Sequence, residues 1–163
     1  MITPSDTYLP PAPQSGRATL PIEHEDDQDA QASASTILLA EDNETNIVMI
    51  GDYLSSLGYR VIVTRNGAEA LARAREALPE LIVMDVQMPV MDGLEATRRI
   101  RAESRLAAIP IVALTALAMP GDREKCIAAG ANDYLSKPVS LRGLAATIEA
   151  HIRQAYGKRR NLP

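Results

Sequence analysis

Leu81-Ile82-Val83-Met84 is a run of four apolar residues closed by a carboxylate, Asp85, with Pro79 shortly before it and Pro89 shortly after. A run this short, without polar alternation, reads as a strand buried on both faces, which places it in a parallel sheet covered by helices. Working toward the N-terminus, a helix through Ala68 to Ala77 is closed by Pro79, and Arg60 to Thr64 reads as another strand. Residues 44 to 57 set Ile47, Val48, Ile50, Tyr53, Leu54 and Leu57 at helical spacing, and Gly58 stands where a C-cap belongs. Ile37-Leu38-Leu39-Ala40 is a second fully apolar run and begins the domain. Toward the C-terminus the same alternation continues: a helix from about Leu94 to Arg101, the strand Ile111 to Leu114 and a helix of about Gly121 to Ala129 ending at Gly130. A short strand around Asp133 to Leu135 and a last helix from Leu141 to about Ala155 follow. Five strand-helix units in succession force parallel strands with helices on both faces, a doubly wound α/β fold.

The chain has 163 residues, 46% of them apolar, enough for one domain with a sizeable core and no second domain of any size. Its formal net charge of -4 is unevenly spread. Residues 1–35 hold six acids, one arginine and five prolines among runs of Ser, Ala and Gln, a composition expected of a disordered tail or linker. Residues 36–156 are expected to form the domain, and residues 157–163 a basic C-terminal tail. From Arg153 onward there are four basic residues and no acid, but only one aromatic, Tyr156, and no repeated interleaving, so no nucleic-acid surface is expected. Cys126 is the single cysteine, which excludes an intrachain disulfide and a cysteine-held zinc. It reads as a small apolar packing residue. No apolar run is long enough to span a bilayer and no signal peptide is legible, so the expected location is the cytoplasm, away from membranes.

In a doubly wound sheet, ligands bind outside the carboxyl ends of the strands. Glu41 and Asp42 follow the first strand, Asp85 the third and Thr115 the fourth, while Lys137 follows the fifth. Each alone has an ordinary structural reading: Asp85 and Asp42 as helix caps, Glu41 as a solvated acid, Thr115 as a β-branched strand residue and Lys137 as surface charge. Together, three carboxylates over one crevice repel one another and need a cation. Oxygen ligands from few side chains suit Mg²⁺, which keeps several waters. A carboxylate beside a metal and an ammonium can attack phosphorus and form an aspartyl phosphate. Asp92 and Gly93 read as a turn and the start of the next helix.

The segments Leu39-Ala40-Glu41-Asp42-Asn43, Val83 through Gly93 (Val-Met-Asp-Val-Gln-Met-Pro-Val-Met-Asp-Gly), Ala113-Leu114-Thr115-Ala116 and Tyr134-Leu135-Ser136-Lys137-Pro138 resemble those of two-component response-regulator receiver domains. The resemblance spans about residues 36 to 153 and implies a flavodoxin-like doubly wound five-stranded parallel sheet, order 2-1-3-4-5, with five helices. It implies Asp85 as phosphoacceptor, Lys137 as the partner of the phosphoryl group, and a Mg²⁺ site made by Asp42, with Glu41 behind it, Asp85 and the backbone carbonyl of Gln87. Thr115 would swing in to bond the phosphate, past the small Ala116. Tyr134 would be the switch aromatic, although a half-buried strand tyrosine needs no such role. Pro138 would follow a cis bond.

On that resemblance the chain is not an enzyme in the ordinary sense but a phosphoacceptor with autocatalytic phosphorylation and dephosphorylation. Neither histidine suits an internal donor: His24 lies in the acidic leader and His151 on the last helix. The implied partners are a sensor histidine kinase or a histidine phosphotransfer protein, and a downstream protein bound through the fourth helix, fifth strand and fifth helix. The chain would be either a stand-alone regulator or the receiver segment of a hybrid sensor histidine kinase, whose receivers share its Glu-Asp-Asn and Gln-Met-Pro-Val-Met-Asp-Gly wording. A pseudo-receiver that binds a partner without phosphorylation is the alternative. An FMN carrier on the same fold would need an amide-lined phosphate loop, where Glu41 and Asp42 stand.

Overall fold

The computed structural model describes residues 7–8, 10–11, 34–116 and 119–160. The acidic stretch 23–29 and the last three residues lie outside them, so the expectation of a disordered leader falls largely beyond the described chain. The strands are β1 (Thr7–Tyr8), β2 (Thr36–Ala40), β3 (Arg60–Thr64), β4 (Leu81–Asp85), β5 (Ile111–Thr115) and β6 (Asp133–Ser136). The helices are α1 (Glu44–Ser56), α2 (Gly67–Ala77), α3 (Gly93–Ala102), α4 (Asp122–Ala129) and α5 (Leu141–Arg160). The sheet order is β1-β3-β2-β4-β5-β6. Its last five strands pair in parallel, in the 2-1-3-4-5 order that the resemblance implied.

Alternation along each strand divides the core in two. Ile37, Leu39, Leu81, Val83, Val112 and Leu114 pack with Ile50 and Leu54 of α1 and with Leu144 and Ile148 of α5. Leu38, Ala40, Ile82 and Met84 point the other way, onto Ala70 and Leu71 of α2 and Ala96 and Ile100 of α3. Both faces are dry, which is why these strands are apolar throughout, and each large aliphatic side chain buried there contributes about 1.5–3 kcal/mol. Four helices begin at a side chain that accepts from the backbone three residues on: Asn43 from the amide of Asn46, Asn66 from that of Glu69, Asp92 from that of Glu95 and Ser140 from that of Gly143. So Asn43 caps α1, and neighbouring Asp42 is left available.

Two elements depart from the sequence expectation. Thr7–Tyr8 lies within the supposed tail, yet adds an antiparallel strand to the edge of β3, with Tyr8 opposite Val61. The Tyr8 ring packs over Gly51 of α1 and its hydroxyl donates to Asp52 Oδ1. Two residues flanked by prolines carry no periodic signal, so only the tertiary contact specifies this strand. The second departure is α5, which continues past Ala155 and Gly157 to Arg160, so residues 157–160 of the supposed tail are helix. Lys158, Arg159 and Arg160 suit the partial negative charge at a helix C-terminus, which offsets the helical cost of Gly157.

Candidate functional site

The register of β2 and β4, with Ala40 beside Met84, carries Glu41 and Asp85 to neighbouring positions at the carboxyl edge. Both continue the alternation that points toward α1 and α5, and both are buried: Glu41 is fully covered and Asp85 is 3% exposed. Asp42, the next residue, is exposed. One carboxylate oxygen from each of Glu41, Asp42 and Asp85 lies within 4.8 Å of the others. Lys137, delivered by the end of β6, places Nζ 2.9 Å from Glu41 Oε2 and 3.1 Å from Asp85 Oδ2. The four residues named from the sequence as acids and ammonium therefore meet in one cluster.

The backbone fixes each of them. Glu41 donates its amide to the Thr64 carbonyl at 3.0 Å, and its Oε1 accepts from the Asn43 amide at 3.1 Å. With Oε2 on Lys137, both oxygens of Glu41 are engaged. Asp85 Oδ1 accepts from the Gln87 amide at 3.2 Å, and the Val86 amide donates to Leu114 at 2.9 Å, so the β4-α3 turn is tied to the sheet on both sides of the aspartate. Gly93 closes this turn by donating its amide to the Val86 carbonyl at 2.9 Å. A Cβ at Gly93 would stand 2.0 Å from the Asp85 carbonyl oxygen, so no other residue fits there without moving the aspartate. Lys137 donates its amide to the Thr115 carbonyl at 2.7 Å and is followed by a cis bond to Pro138.

Burial raises the Asp85 carboxyl to a pKa of about 6, the charge of Glu41 adds to the rise, and the Lys137 bond opposes it. Burial lowers the Lys137 ammonium, but its bonds to Glu41 and Asp85 outweigh that, and its pKa ends above the ordinary lysine value. The cluster thus holds more negative charge than one ammonium neutralises. A hard divalent cation fits this donor set: oxygen donors only, the exposed Asp42 with both oxygens free among the described residues, and a deficit of positive charge. Among the described residues no other group of three acids, histidines or cysteines converges in this way.

Thr115 is buried at the end of β5, one strand away from Asp85, and Ala116 beyond it is exposed. Tyr134, in β6 beside Ala113, is half-buried against Ala113, Cys126 and Ala131. Cys126 is itself a core residue, as expected, and burial pushes its thiol up. His151 lies away from the cluster, with Nε2 3.3 Å from Asp133 Oδ2. Sequence reasoning missed the Glu41–Lys137 bond, which joins residues 96 apart, and the covering of β3 by the leader. The first was within reach, because a fully apolar strand ending in two acids leaves one of them facing the interior.

Residues 37–149 match the family model of the response regulator receiver domain. The polar-differentiation response regulator DivK of Brucella anthropi is 42% identical over 120 residues, covering 74% of this chain and 98% of that protein. The receiver domain of the sensor histidine kinase PA1611 of Pseudomonas aeruginosa, solved with a magnesium ion coordinated in its active-site cleft, is 44% identical. It superposes with a TM-score of 0.69 over 74% of this chain and 98% of that one. The receiver domain of Ssk1 of Saccharomyces cerevisiae, solved together with the histidine phosphotransfer protein Ypd1, is 34% identical. Its TM-score is 0.66, over 71% of this chain and 86% of that one. With carboxylates and lysine at the strand ends where the four motifs put them, the chain belongs to the response regulator receiver domain family of two-component signalling.

Proposed function

We propose that Asp85 accepts a phosphoryl group from a phosphohistidine on a sensor histidine kinase or histidine phosphotransfer protein, and that the resulting aspartyl phosphate changes which protein the domain binds. One observation carries this: a buried carboxylate, reluctant to ionise, sits 3.1 Å from an ammonium and beside two further acids. Asp85 would attack phosphorus as the P–N bond of the donor breaks, and the imidazole would leave carrying the bonding pair and take up a proton. Lys137, already on the Asp85 side of the cluster, would follow the charge onto a phosphoryl oxygen.

Asp42, Asp85 and the backbone carbonyl of Gln87 would hold Mg²⁺, as the magnesium in the PA1611 receiver also suggests. Bound there, it would neutralise the charge spread over the phosphoryl oxygens. Glu41, with both oxygens engaged, would stand behind the ion and hold Lys137 in place. Thr115 would turn its hydroxyl to the phosphate and Tyr134 would follow, altering the surface of α4, β6 and α5 where a downstream protein binds. Residues 36–156 would act as the receiver unit, in the cytoplasm, where its histidine donors reside. Among the described residues no helix is long and apolar enough to cross a membrane.

Incubation with acetyl phosphate and Mg²⁺ followed by intact mass measurement tests the reading. A gain of one phosphoryl group, absent in Asp85→Asn and without Mg²⁺, is expected; no adduct, or an adduct that persists in Asp85→Asn, would overturn it. The pseudo-receiver alternative gains no support from a site that keeps all three acids and the lysine, none of which mere partner binding requires.

A further inference from the structure

At the pole opposite Asp85, around the amino ends of β4, β5 and β6, a cavity of about 320 Å³ opens against the last turns of α5. That volume is at the lower end of the range for small-molecule sites. One wall is the turn Pro79–Glu80, another the segment from Arg105 to Pro110, and the long α5 closes the third. The cavity owes its depth to the extra helical turn and a half beyond Ala155, since Tyr156, Lys158 and Arg159 line it.

Several exposed arginines have acids within reach, such as Arg65 with Glu44, Arg75 with Glu103 and Arg98 with Glu95, while others, such as Arg60, Arg123 and Arg142, stand unpaired among the described residues and apart from this cavity lining. Arg105 and Lys158 have no ion pair among the described residues, and Arg159 lies over the Tyr156 ring, 6.0 Å from its centroid. Glu80 is the single acid of the lining, and its Oε2 is bonded to the Thr36 amide at 2.6 Å. Three cations, Arg105, Lys158 and Arg159, thus gather around an apolar floor against the one carboxylate of Glu80.

The walls are also fixed in advance. The half-buried Arg101 donates Nη1 to the carbonyls of Ala107 and Ile109, at 3.1 and 2.8 Å, and Nε to that of Gly130 at 2.8 Å. Its Nη2 donates to Asn132 Oδ1 at 2.7 Å, and the same oxygen accepts from the Ile111 amide at 2.8 Å. One guanidinium thus pins the Arg105–Pro110 segment to the turn before β6, so a ligand would meet walls already in place rather than order them.

We propose that this cavity binds a nucleoside phosphate. An inorganic anion would use the cations and leave the lining of Ile109, Pro110 and Ile152 wet, whereas an apolar ligand would leave Arg105 and Lys158 without a counter-charge. A planar ring carrying phosphate answers both: the ring lies on the apolar floor and against Tyr156, and the phosphate meets Arg105 and Lys158 at the rim. Nucleoside phosphates are the abundant cellular compounds of that form.

The test is titration calorimetry of the full chain with AMP, GMP, ADP and GDP, with adenosine and with inorganic phosphate, in Mg²⁺-free buffer of low ionic strength. At least one nucleotide is expected to bind at about 10–100 µM, and adenosine and inorganic phosphate at least about tenfold more weakly. The double variant Arg105→Ala/Lys158→Ala, whose side chains are exposed and serve no core contact, should lose at least about tenfold in nucleotide affinity while acetyl phosphate still labels Asp85. No nucleotide binding at millimolar concentration, binding undiminished in the double variant, or inorganic phosphate binding as tightly as the nucleotides would each overturn the proposal. Because labelling of Asp85 is read separately, failure here leaves the phosphoacceptor reading standing, and the reverse also holds.

Discussion

Asp85 stays protonated to a higher pH than an aspartate in water because burial and the charge of Glu41 together outweigh the help of Lys137. The sign for stability follows from its pKa of about 6 against an ordinary value of 3.8. Below pH 3.8 the carboxyl is protonated in both states and contributes nothing. Between 3.8 and about 6 the unfolded chain releases its proton while the folded one keeps it, so stability falls as pH rises; above 6 the penalty is constant. Asp85→Asn should therefore stabilise the Mg²⁺-free protein by about 1–3 kcal/mol at pH 7.5, and the gain should vanish by about pH 4. Chemical denaturation of both proteins across that range would show it; an equal difference at both ends would refute the assignment. Gly93→Ala belongs to the same scale. Its Cβ would stand 2.0 Å from a backbone oxygen that cannot swing aside, so a loss of more than about 2 kcal/mol, together with impaired phosphorylation, is expected.

Elements are where the sequence was most and least legible. Leu81 to Met84 and Ile111 to Leu114 could be recognised because strands dry on both faces run apolar along their length, and Asp92 before a helix marks its start through a local bond. The end of α5 was not legible: Gly157 reads as a stop, and only the interplay of Lys158 to Arg160 with the helix terminus carries it on. That missed turn and a half forms part of the wall of the opposite-pole cavity, so the cavity was not legible either. The contact between β1 and α1 yields a prediction of its own. Gly51 is a buried helical glycine, and Ala there should gain about 1 kcal/mol of helix propensity. A Cβ at that position meets the Tyr8 ring at 3.1 Å. Gly51→Ala should hence be near neutral in the intact chain and clearly stabilising beside Tyr8→Ala, a non-additivity that thermal unfolding of the four proteins would measure.

Across the whole molecule, the parallel order brings residues from β2, β4 and β6 to one edge, and this is why four short motifs far apart in the chain could be read as one site. What the order does not specify is which side chain bonds which: that Lys137 is shared between Glu41 and Asp85 depends on register and burial. If the proposed switch runs from Thr115 through Tyr134, beryllofluoride with Mg²⁺ should alter amide hydrogen exchange in α4, β6 and α5. Thr115→Ala should retain the adduct yet weaken that change by more than half. An exchange response confined to the β4-α3 turn would separate phosphate binding from the output surface.

The two residues of β1 also bear on how the protein behaves in a crowded solution. Without them, Val61, Ile62 and Val63 would form an outer strand with amides and carbonyls unpaired, a template on which a second chain could add its own strand. Tyr8 and Thr7 occupy that template at Val61 and Ile62, so their removal is expected to open the sheet edge to a second chain. A chain shortened to begin near Ala34 should keep its fold and its phosphorylation, but scatter light at concentrations where the full chain stays clear.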